Sequence, residues 1–281
     1  MGRQMKQRIS LAYLTVVGLA PPDHVTLAAD AGYDAVGLRL VPALPGERPF
    51  PMNEGSEMLR ETLSRLRDTG LSVLDVENVK LDRFDDPADL APVFDAMRQL
   101  GAAQVLVTSD AADESLNVDR LSGLCEFGRT YGLDFHLEFM PWTPGVATLE
   151  QAERIVAAAD APNAHLMIDA IHFDRTGAGT DQLASLPESR FRYVQLCDAP
   201  KDRPDTADGI LHQGRFERLF PGDGGLDLYG LMAELPDGIP ISVEAPRTTL
   251  REAVGYEEIA RRSFAATGKW LDAYRERRRG P

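Results

Sequence analysis

The chain has 281 residues, with 30 basic and 44 acidic side chains and a formal net charge of −14. At 43% hydrophobic and 26% charged it has the composition of an ordinary globular protein rather than a disordered one. The acidic balance argues against a nucleic-acid-binding surface, which needs clustered Lys and Arg, and two cysteines, Cys125 and Cys197, cannot build a disulfide framework or a thiolate zinc site, so that reduced thiols in a cytoplasm are the simpler reading.

Arg3, Lys6 and Arg8 precede an apolar run from Ile9 to Ala20. Charge followed by apolar residues resembles a secretory signal, but no small-x-small cleavage site follows. The run reads instead as a first buried strand, Ile9 to Val17, ended by Gly18 and the Pro21-Pro22 pair. From there one unit recurs: an amphipathic helix, a glycine, then a short β-branched run. Gly32 precedes Ala35–Val41, Gly70 precedes Leu71–Val76, Gly101 precedes Gln104–Val107, and Gly132 precedes Asp134–Phe139. A glycine there ends a helix cheaply because it adopts the left-handed conformation. His165–Phe173, Phe191–Asp198 and Ile239–Ala245 read as three further strands, which makes eight. Helices are predicted near 22–31, 56–69, 88–100, 114–131, 148–159, 180–186, 226–235 and 255–276, the last ending in a solvated basic tail over 275–281. No apolar run approaches the ~20 residues that span a bilayer. Alternating strands and helices imply a parallel sheet, and eight such units most often close into a single-domain (β/α)8 TIM barrel, here over 1–281. The rival, an open doubly wound sheet, would carry a Gly-rich phosphate turn after the first strand, and none is there.

Barrel enzymes place their chemistry at the carboxy ends of the strands. Strand alternation turns Phe135, Leu137 and Phe139 outward, and His136 and Glu138 inward. By the same rule Asp169, Gln195 and Glu244 point inward near the ends of the sixth, seventh and eighth strands. Three carboxylates converging in a cleft repel one another and are costly to desolvate, and a divalent cation is the usual remedy. Oxygen ligands favour a hard ion, Mg²⁺ or Mn²⁺ first, with Co²⁺ or Zn²⁺ also open. The bland alternative is that these residues cap the barrel with ordinary hydrogen bonds. His172 lies three residues past Asp169, at the mouth, as base, acid or hydrogen-bond donor to substrate, or merely as a support for a ligand or loop. His136, Lys201, Arg247 and Arg39 are candidate substrate contacts, with a supporting role favoured for His136 and solvated cations the alternative for the others.

The chain resembles the xylose isomerase-like TIM barrels, the sugar phosphate isomerase/epimerase superfamily, in four segments: Leu137–Trp142, Ile168–Phe173, Tyr193–Pro200 and Ile241–Glu244. The Asp-x-x-His pair at Asp169 and His172 and the Phe220–Leu228 segment match as well. The resemblance implies a metal held by Glu138, Asp169, Gln195 and Glu244, with Glu138 and Glu244 doubling as acid and base. Epimerases of this superfamily usually carry histidine where Gln195 stands, and a further glutamate shortly after the first ligand, where this chain has Pro141–Gly145 without an acid. The Gln-Leu-Cys-Asp-Ala-Pro wording is nearer to bacterial 3-dehydroshikimate dehydratases.

The implied reaction begins with loss of a proton next to the carbonyl of a polyhydroxylated ketone or sugar-like substrate. Reprotonation then gives an epimer or an isomer, and loss of a β-hydroxyl gives a dehydrated product. The sequence specifies the first half-reaction and leaves the second open. Endonuclease IV shares the broad fold but needs a histidine-rich zinc site and a basic face, whereas this chain has 5 histidines. A non-catalytic sugar-binding protein on the same barrel is the rival from another class. Related barrels are often dimers or tetramers, which leaves a homo-oligomer open.

Overall fold

In the computed structural model, residues 7–43, 47 and 49–279 are described. Arg3 and Lys6 of the basic amino-terminal stretch and the last two residues of the basic tail lie outside that range. The strands are β1 (Ile9–Leu11), β2 (Ala35–Arg39), β3 (Ser72–Lys80), β4 (Gln104–Thr108), β5 (Asp134–Glu138), β6 (Ala164–Asp169), β7 (Val194–Leu196) and β8 (Ile241–Val243). They pair in sequence order, all parallel, and β1 closes on β8 through Ser10 opposite Ser242. The helices are α1 (Pro21–Ala31), α2 (Glu57–Thr69), α3 (Ala91–Leu100), α4 (Glu114–Arg129), α5 (Leu149–Ala159), α6 (Ala170–Thr176), α7 (Thr180–Ala184), α8 (Ala207–Phe216), α9 (Leu228–Ala233), α10 (Thr248–Val254) and α11 (Tyr256–Arg279). The chain is a (β/α)8 TIM barrel. Among the described residues no helix is long and apolar enough to cross a membrane.

The main core fills the layer between barrel and helices. Outward residues such as Val36, Val105, Phe135, Leu166 and Ile168 are fully buried in it. Phe135 reaches deep under α4 because position 128 is glycine: a Cβ there would lie 2.3 Å from the Phe135 ring. A second, small cluster of Ala35, Leu74, Leu106, Met167 and Tyr193 plugs the barrel interior.

Several predicted boundaries are corrected, each for a local reason. The first strand stops at Leu11 rather than Val17. The chain leaves the sheet when the Tyr13 N–H turns to Glu77 Oε1 (3.0 Å) and the Thr15 hydroxyl donates to the Val243 carbonyl (2.8 Å). The third strand runs four residues further than Val76, to Lys80. The segment predicted as one strand from His165 to Phe173 is strand only to Asp169. There the Asp169 carboxylate caps α6, accepting the Ile171 N–H at 2.9 Å and the His172 N–H at 3.4 Å. The short helices α6, α8 and α10 follow strands β6, β7 and β8 on the carboxy-terminal face and were not predicted.

One buried histidine gives a pH test of the scaffold. His24 is fully buried on α1, donates to the Leu11 carbonyl at 3.1 Å, and burial pulls its pKa from 6.5 down to about 4. Its folded pKa is therefore below its unfolded one, so the unfolded chain binds the extra proton first. The stabilisation is present above pH 6.5 and is lost as the pH falls toward 4, by up to roughly 3 kcal/mol. His24→Gln, which keeps an N–H donor and does not titrate, should narrow the gap to wild type by that order as the pH falls from 7 to 4. Urea midpoints measure it, and a gap independent of pH contradicts it.

Candidate active site

Each predicted carboxy-end residue arrives on its own strand. Glu138 ends β5, Asp169 ends β6, Gln195 lies in β7 opposite Asp169, and Glu244 follows the last residue of β8. All four are buried. Because Asp169 caps α6, its carboxylate and the His172 ring are held on adjacent turns of one short segment. Glu138, Asp169 and His172 each offer a ligand atom within 4.8 Å of the other two. His172 Nε2 lies 3.8 Å from Glu138 Oε1. Gln195 joins through its amide, which donates to Glu244 Oε1 at 3.0 Å.

Glu244 is tied to Asp169 by a residue that strand-end reasoning misses. Arg218 follows α8, and its fully buried guanidinium reaches back into the barrel mouth. Nη1 lies 2.6 Å from Asp169 Oδ2 and 2.9 Å from Glu244 Oε2, and donates to the Glu244 carbonyl at 2.9 Å. Nε donates to the Gly214 carbonyl at 2.6 Å. The only sequence trace of this is the apolar pair Leu219-Phe220 directly after it, which returns the chain to the barrel by bridging Leu219 to Asp198. Glu77 is a second residue missed. It lies one position past the predicted end of the third strand, is buried, and takes Arg39 Nη2 at 2.8 Å.

The electrostatics follow from burial. Desolvation first, then the Asp169 charge, hold Glu138 well above the usual carboxylate range. Desolvation likewise raises Glu244, against the pull of Arg218. Asp169 stays below its ordinary value although burial acts upward, because Arg218 and His172 favour its charge. Burial brings His172 from 6.5 to about 4, so its imidazole is neutral near pH 7.

The donor set fits a divalent cation. Three buried carboxylates face one guanidinium, which leaves two negative charges uncompensated when all three are ionised. Protons on Glu138 and Glu244 meet that excess in the protein alone, and a divalent ion is the other way to meet it. The Gln195 carbonyl oxygen is buried and has no hydrogen-bond partner, which leaves it free to act as a fourth, neutral ligand. His172 stands close enough to Glu138 and Asp169 to be a ligand as well as a proton carrier.

A cavity of about 200 Å³ opens beside this group, and Glu138, His172, Arg218, Glu244, Glu77 and Arg39 face it. Of the four predicted substrate contacts, only Arg39 lines it, and it is already paired with Glu77 and, at 3.3 Å, with Glu47. The other three lie elsewhere. His136 sits two residues below Glu138 in the barrel floor, 2.6 Å from Gln104 Oε1 and stacked 5.3 Å from the His165 ring. Lys201 is exposed, because Asp198 gathers the N–H groups of Ala199, Gly222, Gly224 and Leu226 and turns the chain away from the mouth. Arg247 lies over the Phe220 ring at 4.9 Å. Trp142, absent from the predicted contacts, forms part of the cavity wall with its ring edge-on to His172 at 4.7 Å. Glycine at 214 allows this, since a Cβ there would come within 2.6 Å of the indole.

The comparisons with known proteins agree with this geometry at the level of family. The family model for the xylose isomerase-like TIM barrel matches residues 25–272. A 3-dehydroshikimate dehydratase of Pseudomonas aeruginosa is 31% identical over 236 residues, 80% of this chain and 35% of the relative. This chain thus spans about a third of the length of that curated relative. An inosose isomerase of Bacillus subtilis is 29% identical over 122 residues, 43% of this chain and 42% of the relative. Among solved structures, a xylose isomerase-like TIM barrel/4-hydroxyphenylpyruvate dioxygenase fusion protein superposes with a TM-score of 0.75 at 25% identity, over 93% of this chain and 42% of that one. The IOLI protein, solved with a bound zinc atom, superposes with a TM-score of 0.78 at 20% identity over 95% of this chain and 99% of that one, and shows the fold alone. With the matched model covering most of the barrel, the chain belongs to the xylose isomerase-like TIM-barrel family.

Proposed function

We propose that this barrel is a divalent-metal-dependent enzyme that removes the proton next to the carbonyl of a small polyhydroxylated ketone and then eliminates a β-hydroxyl, as a dehydratase. The observation that carries the reading is the buried convergence of Glu138, Asp169, His172, Gln195 and Glu244 on one cavity with two negative charges uncompensated. Glu138, Asp169 and Glu244, with Gln195 or His172, would hold the ion. Bound there, it would polarise the substrate carbonyl and so acidify the adjacent C–H. His172 is held neutral and has Nδ1 without a hydrogen-bond partner, which suits it to accept that proton. Glu138 beside its Nε2 then favours the imidazolium that forms. Arg218 fixes the Asp169 and Glu244 carboxylates. Elimination is supported by the dehydratase relatives.

The second reading is isomerisation or epimerisation. It is favoured by two carboxyls, Glu138 and Glu244, both raised into the range where they exchange protons near neutral pH, and by the inosose isomerase relatives. Turnover of ketone substrates in D₂O separates the two: deuterium gained without loss of mass means isomerisation or epimerisation, and loss of water means dehydration. The shared premise is tested by adding Mn²⁺ to chelator-treated protein. A site with two unmatched charges should bind about one ion and raise the melting temperature with metal concentration. No stoichiometric binding at saturation defeats the proposal.

A further inference from the structure

Two cations face the active-site cavity without a matching acid. Arg215 lines it from α8 and Arg251 from α10, and both are partly exposed. Among the described residues no carboxylate lies within ion-pair distance of either. Arg215 lies 5.8 Å over the Trp142 ring. Arg251 donates to the Val17 carbonyl at 3.2 Å and lies 5.4 Å over Tyr256. Every other cation lining the cavity is paired: Arg39 with Glu77, Arg218 with Asp169 and Glu244, and Lys80 with Asp110 at 2.5 Å. In a chain of net charge −14, two free guanidiniums at one mouth run against the overall sign and focus an attractive field for anions there. Between them the wall is apolar, formed by Leu14, Val17, Leu106, Met140, Trp142 and Phe216. Phe216 stands at this rim with 40% of its surface exposed.

We infer that the mouth takes the carboxylate of a compact ring-shaped substrate, with Arg215 and Arg251 reading the charge and Trp142 and Phe216 packing the ring. This rests on the function proposed above and specifies the charge and shape of its substrate. Guanidinium forks match the planar carboxylate in bidentate fashion. The volume of about 200 Å³ holds one small ring rather than an oligosaccharide. A phosphate would more usually be met by backbone N–H groups at a helix start, and here the unmatched donors are two side chains.

The test uses three probes of similar size: benzoate, benzamide and phenyl phosphate, titrated by NMR into metal-loaded and chelator-treated protein. Wild type should bind benzoate at least about tenfold more tightly than benzamide in both states. The Arg215→Gln/Arg251→Gln double variant should bind the two within about threefold of each other, with benzamide affinity unchanged, while Arg215→Lys alone keeps part of the preference. Equal affinities in wild type, a preference that survives in the double variant, or tighter binding of phenyl phosphate than of benzoate overturns the assignment. Because the chelated arm needs no metal, failure of the metal-dependent reading would appear as absent Mn²⁺ binding with the benzoate preference intact.

Discussion

Glu138→Gln should lower turnover by about a thousandfold or more while leaving the barrel at least as stable as wild type. General acid–base groups contribute roughly 10²–10⁴ in rate, and Glu138 is proposed as ligand and as partner of the base His172 together. The substitution keeps the shape and removes a charge. That charge is costly in place: burial holds Glu138 well above the ordinary carboxylate range, so the folded state disfavours its ionised form. A neutral amide does not carry this cost, so the metal-free variant should match or exceed wild type in urea midpoint at pH 7. Affinity for the divalent ion should fall in parallel with turnover. Glu244→Gln should also lose activity but with a stability penalty, because Glu244 receives Arg218 at 2.9 Å and the Gln195 amide at 3.0 Å. The contrast between the two variants is the informative part. Calorimetric metal titration, urea melts and turnover on one ketone substrate measure it. A Glu138→Gln protein within tenfold of wild-type activity sinks the assignment of Glu138.

Most of the architecture is legible in the sequence because each unit repeats the same local physics. Glycine ends α2 and α3 in the left-handed conformation at Gly70 and Gly101, and alternating residues then set the inward face of the next strand. The same alternation delivers Glu138, Asp169, Gln195 and Glu244 to one level without any knowledge of contacts. What alternation does not reach lies after the strands, where loops obey capping and packing instead. The stretch after Asp169 looks like strand because Ile171 and Phe173 are apolar at period two. It is a helix because the Asp169 side chain satisfies the first free N–H groups. Arg218 and Arg215 are invisible for the same reason: a cation on a loop or a short helix reads as solvated until the fold shows what it faces. Lys201 and Arg247 err in the opposite direction, since proximity in sequence to a strand end does not decide which way a loop turns.

Arg218 carries the second large expectation. Its Nη1 is the ion-pair partner of both Asp169, at 2.6 Å, and Glu244, at 2.9 Å, and all three groups are buried. Arg218→Met removes the cation and leaves the acids without compensation, a change that costs about 3–5 kcal/mol in comparable buried pairs. For a chain of this size that lowers the melting temperature of metal-free protein by on the order of 10 °C. The pH dependence identifies the cause. In wild type Asp169 is held below its ordinary pKa by Arg218, so its contribution is present above the unfolded pKa and lost as the pH falls through the folded one. Without Arg218 the desolvation term acts unopposed by that cation and raises the folded pKa. The acid then takes up a proton in the folded state, and the deficit relative to wild type should be largest at pH 7–8 and shrink toward pH 4. A lost packing contact would give a deficit independent of pH. Saturating Mn²⁺ should recover a large part of the loss, since a divalent charge replaces the missing one at the same carboxylates. Urea midpoints of both proteins from pH 4 to pH 8, with and without Mn²⁺, decide it. A deficit equal at both ends of that range, or untouched by metal, would mean that Arg218 packs the mouth rather than holding its charge in balance.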